Sequence, residues 1–129
     1  MTLNAATPFD QPELPSLLEH SDATAQDAVG FGVIGFDEAG LVQRYNAFEA
    51  QAAGLRAGRL LGQDLFLAVA PCMNNFMVAQ RFADARADAT PLDDTINYVL
   101  TLRMRPTKVR LRLVYQPGAA LAYVLVQRS

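Results

Sequence analysis

The chain has 129 residues, 51% of them hydrophobic, 19% charged and 9% aromatic, with a formal net charge of −2. That length and apolar share suit one folded domain and exclude wholesale disorder, and a nearly neutral chain is a poor generic polyanion binder. A single Cys excludes an internal disulfide framework and a multi-cysteine zinc site, and no apolar run reaches the roughly 18 residues a membrane helix needs.

Residues 1–28 carry Pro8, Pro12 and Pro15, a short LPSLLEH helix candidate and the polar stretch SDATAQDA, which together read as a small N-terminal cap. The opening MTLNAATPFDQPELP has neither a basic flank nor a long apolar stretch, so a cytoplasmic protein without a secretory signal is expected. FGVIGF (31–36) reads as a buried strand, DEAG (37–40) as a turn and LVQRYN (41–46) as a second strand, a hairpin candidate. Residues 47–70 are rich in Ala and Leu but interrupted by Gly54, Gly58 and Gly62. Each Gly costs a helix about 1 kcal/mol against Ala, so short broken turns are expected there. Asn74 or Asn75 can cap a helix from about Phe76 to Ala89, whose Val78, Phe82, Ala85 and Ala89 recur at helical spacing. TPLDD (90–94) is a break, and three strands follow at about 95–105, 107–116 and 120–127. In the middle one Val109, Leu111 and Leu113 alternate with Lys108, Arg110 and Arg112, giving one buried and one wet face. The order predicts an α+β domain with one five-stranded antiparallel sheet, helices gathered on one face and a small pocket between them.

Charge is unevenly placed. Residues 1–50 hold eight acids and one base, whereas residues 101–112 hold Arg103, Arg105, Lys108, Arg110 and Arg112 and no acid. The economical reading is that the two ends pack together and neutralise. No aromatic residues interleave the basic strand as single-strand binders need, so no nucleic-acid or membrane partner is expected. Gly30-Phe31-Gly32-Val33-Ile34-Gly35 matches G-x-G-x-x-G, but inside a strand that runs into a hairpin, which is the wrong context for a dinucleotide. Its glycines more simply relieve crowding where the cap crosses the sheet. His20, the sole histidine, falls in the polar cap and reads as a surface residue. No metal site, base or oxyanion stabiliser can be assigned, and no enzymatic activity is expected. Cys72 could be a small buried hydrophobe, or a nucleophile activated at a helix N-terminus. Tyr45 and Glu49, four apart, could merely pack and be solvated, or could both donate to one buried oxygen.

The segments YNAFEAQAAG (45–54), GQDLFLAVAPC (62–72), QRFADA (80–85) and MRPTKVRL (104–111) resemble the photoactive yellow protein family, blue-light receptors of the PAS fold. The resemblance covers roughly residues 29–128. It implies a cap at 1–28 and a PAS domain at 29–129. It also implies p-coumaric acid (4-hydroxycinnamic acid) held as a thioester on Cys72, with Tyr45 and Glu49 on its phenolate oxygen. Ile34, Val69, Ala70 and Met104 fall on pocket positions. Ala53 stands where the family has threonine, Leu55 where it has arginine, Leu100 and Leu102 where it has aromatics, and Tyr123 where it has tryptophan. A threonine lost at Ala53 implies a less anchored Tyr45, and an arginine lost at Leu55 an altered dark recovery.

On that resemblance Glu49 is kept protonated so that it donates, as burial beside an anion raises a carboxyl pKa. Trans–cis isomerisation then moves its proton to the phenolate, leaving a buried carboxylate without a counterion. Such a charge costs several kcal/mol, comparable to a domain's whole stability, so part of the fold gives way. The proline-interrupted cap is expected to release first, in a salt-sensitive way. A monomer or weak dimer signalling to an unidentified downstream protein is expected. The competing reading is a chromophore-free PAS module that binds another ligand or a protein.

Overall fold

A computed structural model describes residues 2–101 and 105–128 of the chain. Two short helices, α1 (Leu14–Glu19) and α2 (Ala23–Gln26), precede the hairpin β1 (Gly32–Phe36) and β2 (Val42–Tyr45). Short pieces follow, as the glycines require: α3 (Ala47–Ala53), α4 (Ala57–Leu60), a π turn Leu65–Val69 and a 3₁₀ turn Pro71–Met73. The longer α5 (Ala79–Asp88) leads into β3 (Leu92–Leu100), β4 (Thr107–Tyr115) and β5 (Ala122–Arg128). The five strands form one antiparallel sheet in the order β2-β1-β5-β4-β3, which is the PAS architecture expected.

Two boundaries differ from expectation for local reasons. The α5 helix starts at Ala79, not at residue 76, because Asn75 Oδ1 accepts hydrogen bonds from the Met77 and Val78 amides and holds them in a separate turn. Strand β3 begins at Leu92, inside the expected break, since its ladder with β4 extends to Leu92↔Tyr115.

The sheet is covered on both faces. On one face Ile34, Phe36, Val42, Leu111, Leu113, Val124 and Val126 pack against Leu65, Val69, Met73, Val78 and Phe82 from the helical side. On the other, Leu3, Phe9, Leu14 and Leu18 of the N-terminal cap pack on Phe31, Val33, Val114, Tyr123 and Leu125. This explains why β1 is buried along its whole length. It also corrects the one-wet-face reading of β4, for Arg112 is only 5% exposed. Its guanidinium forks onto Asp93 (2.8 and 2.9 Å) and donates from Nη1 to the carbonyls of Phe9 (3.0 Å) and Gln11 (2.8 Å). The bond is charge-assisted, but two of its acceptors are backbone groups of the cap. The expected neutralisation of acidic cap by basic strand is slight. It rests on Asp10–Arg110 at 3.4 Å, between exposed side chains. The cap is held down chiefly by apolar contact and by Arg112.

Candidate functional site

Strand β2 ends at Tyr45, and α3 begins immediately after it because Asn46 is a good N-cap: its Oδ1 accepts from the Glu49 amide at 3.1 Å. The same oxygen accepts from Val33 N (2.9 Å), and Nδ2 donates to the carbonyls of Phe31 and Gln26 (both 3.0 Å). Buried Asn46 thus ties α3, β1 and the cap together with every side-chain polar atom satisfied. One turn on, Glu49 is carried inward to 1% exposure, over β1. A Cβ at Gly32 would collide with Glu49 Oε1, so only glycine leaves room for this carboxyl against the strand. The crowding comes not from the cap, as expected, but from Glu49 at Gly32 and from Tyr123 and Arg44 at Gly35, while Gly30 meets only the Ala5 carbonyl at 3.7 Å.

Glu49 has a partner that sequence inspection does not reveal. Arg128, at the end of β5, grips it through both oxygens, with Nη1–Oε1 at 2.6 Å and Nη2–Oε2 at 3.0 Å. The side chains are 22% and 2% exposed, so this is a nearly buried fork. The Glu49 hydrogen bond, opposed by some desolvation and joined by the carboxylate's charge, holds the Arg128 guanidinium above its already high ordinary pKa. The register explains the meeting: Gly32 pairs with Val126, which places Arg128 just beyond the strand segment that Glu49 covers. One signal was present, because Val124, Val126 and Arg128 alternate and so continue one buried face. In the ligand-free chain the Glu49 carboxylate therefore has a counterion.

Cys72 is a free, half-buried thiol in the 3₁₀ turn Pro71–Met73, packed against the cluster that contains Tyr45, Val69 and Ala70. It does not sit at the start of α5, so activation by a helix terminus has no helix to rest on here. Its carbonyl is anchored by Tyr98 Oη at 2.5 Å, and Tyr98 Oη accepts in turn from Asn75 Nδ2 at 2.6 Å. Tyr98 pairs with Val109, and Val109 with Arg128, so these three side chains stand abreast across β3, β4 and β5. A cavity of about 670 Å³ is lined by Tyr98, Val109 and Arg128 together with Met77, Lys108 and Arg110. One lining residue thereby holds Cys72's carbonyl and another holds Glu49's carboxylate.

The other singled-out positions fall as follows. Ile34, Val69, Ala70 and Leu100 are buried in the same core. Ala53, at the end of α3, and Leu55, just past it, are half-buried. Met104, with Leu102 and Arg103, lies outside the described residues. His20 is exposed, with Nδ1 2.8 Å from the Ser16 carbonyl. Among the described residues no group of three or more His, Cys, Asp or Glu could hold a metal, and no helix is long and apolar enough to cross a membrane.

A scan of protein-family models finds no match. The chain is 29% identical over 105 residues to the photoactive yellow protein of Rhodothalassium salexigens, covering 81% of this chain and 83% of that one. It is 26% identical over 128 residues to the photoactive yellow protein of Rhodobacter capsulatus, covering 95% and 97%. Among solved structures, the photoactive yellow protein domain of the sensor histidine kinase Ppr from Rhodospirillum centenum superposes with a TM-score of 0.80 at 26% identity. That match covers 89% of this chain and 100% of that domain. The PAS domain of the RpfR quorum-sensing receptor of Cronobacter turicensis shares the fold, with a TM-score of 0.54 at 14% identity over 84% and 97% of the chains. Five antiparallel strands in this order, flanked by these short helices and matched at this level in sequence and shape, give the chain the PAS fold and make it similar to the photoactive yellow proteins over most of its length.

Proposed function

We propose that the chain is a blue-light photoreceptor that carries p-coumaric acid as a thioester on Cys72, its phenol end held by Tyr45 and Glu49. One observation carries the reading: a free thiol packs against the apolar cluster that holds the buried Tyr45 phenol, and four residues after Tyr45 a carboxyl 1% exposed lies against Gly32 of β1. Glycine at position 32 is what lets the Glu49 carboxyl lie against β1.

Held there, the p-coumaroyl group would supply a visible absorption band and a light-driven trans–cis change. The protein's own part is electrostatic. Tyr45 Oη and a Glu49 Oε–H would each donate to the oxygen at the phenol end. In the ligand-free chain Arg128 neutralises that carboxyl. Neither residue exposes the site to water, because Tyr45 and Glu49 are both buried.

A second reading, a PAS module that binds a different ligand without the chromophore, is favoured by the cavity beside Tyr98. It combines the apolar Met77 and Val109 with the cations Lys108, Arg110 and Arg128. Mixing the purified chain with an activated p-coumaric ester separates the two. The receptor reading expects a yellow product, the mass gain of one coumaroyl group, and the loss of both in Cys72→Ala. A colourless chain of unchanged mass would contradict it.

A further inference from the structure

The most unusual polar contact in the described residues is the Glu49–Arg128 fork. Glu49 has a side chain 2% exposed, and both of its oxygens accept from Arg128. A carboxylate held in this way is saturated as an acceptor along its fork and carries no proton to donate. The receptor reading asks the opposite of it: a proton on Oε and a hydrogen bond directed at a ligand oxygen. Both cannot hold at once. Arg128 has room to leave, because its side chain is 22% exposed and lines the cavity of about 670 Å³ beside Lys108 and Arg110. Glu49 has none, since Gly32 and β1 lie against it.

Resting on the receptor reading, we propose that Arg128 is a positioning residue for the ligand site. It holds Glu49 as a carboxylate in the ligand-free chain and must release it into the protonated, donating form when Cys72 is acylated. The bookkeeping is closed. With the anhydride of p-coumaric acid as the probe, Cys72 Sγ–H attacks one anhydride carbonyl, the S–C bond forms, the C–O bond breaks, and coumaric acid departs with the thiol proton. Glu49 separately takes up one proton from water as the guanidinium swings into the cavity. The guanidinium keeps its own proton throughout.

The test is infrared spectroscopy of the protonated-carboxyl C=O band at neutral pH, assigned by its disappearance in Glu49→Gln. The ligand-free wild type should lack the band, and acylated wild type should gain it. Ligand-free Arg128→Gln should show it already, because the buried carboxyl has lost its cation, and Arg128→Lys should lack it because the charge is kept. A merely structural Arg128 would leave the band unmoved in every folded variant. A band in the ligand-free wild type, or none in folded Arg128→Gln, overturns the pairing. A yellow, acylated wild type without the band overturns the release. A chain that gains neither colour nor mass on exposure to the anhydride sinks the receptor reading and the release with it, whereas the ligand-free spectra still decide the pairing.

Discussion

Gly32 shows how narrowly this site is specified by single residues. A methyl group there meets Glu49 Oε1 and the Val126 side chain, so Gly32→Ala should destabilise the fold by about 1–3 kcal/mol, as overpacking does elsewhere. The measurement is the denaturant midpoint, and Gly30→Ala is the control, since its nearest neighbour would be the Ala5 carbonyl at 3.7 Å. An equal midpoint for the two would mean that Glu49 moves aside at no cost. Tyr45, Glu49 and Cys72 are candidates that short sequence motifs single out. Arg128 is not among them, because it meets Glu49 from 79 residues away and only the pairing of β1 with β5 brings them together. The consequence is chemical: in the ligand-free chain the Glu49 carboxylate has a cation at 2.6 Å.

At the scale of elements, α3 is the piece on which the site depends, and Asn46 determines where it starts. Its side chain makes four hydrogen bonds to α3, β1 and the cap. Asn46→Ala removes an N-cap and strands buried backbone groups, which together should cost more than about 2 kcal/mol. Amide hydrogen exchange should speed up at Val33 and Glu49 in that variant; unchanged protection at both would show that Asn46 is dispensable. The β1–β2 hairpin has its own titrating group. The Leu41 amide, opposed by some desolvation and joined by Gln43 and the Ala39 amide, holds the Asp37 carboxyl below its usual 3.8. A carboxyl lowered by folding adds stability in full above its unfolded pKa and loses it as pH falls through the native value. Asp37→Asn should therefore cost stability at neutral pH, and the gap to the wild type should close in acid below about 3.8. A gap that is the same at both pH values would contradict this. The hairpin and the broken turns were readable from turn residues and glycines. The late start of α5 was not, because it depends on which amides Asn75 chooses to cap.

For the whole molecule, the second apolar layer changes what the cap can do. Composition and prolines made residues 1–28 look loosely attached, yet Leu14 and Leu18 are fully buried against the sheet. What the sequence hid was the pairing of cap leucines with Val33, Val114 and Leu125, since those strand positions read equally well as a one-sided core. Leu14→Ala should cost about 2–5 kcal/mol, as for other buried leucines. Raising the salt concentration should shift the thermal midpoint little, because the exposed Asp10–Arg110 pair is worth about 1 kcal/mol at most. A large salt-induced loss with a harmless Leu14→Ala would restore the electrostatic lid.

The receptor account stands on Tyr45 and Glu49 reaching the far end of a group tethered at Cys72. The most direct measurement is the visible spectrum of the acylated chain, titrated with pH, beside Tyr45→Phe and Glu49→Gln. The account expects both substitutions to displace the band or the pH at which it ionises, while the added mass stays the same. A spectrum and titration identical in all three proteins would mean that neither residue touches the pigment, and the site as described here would be wrong.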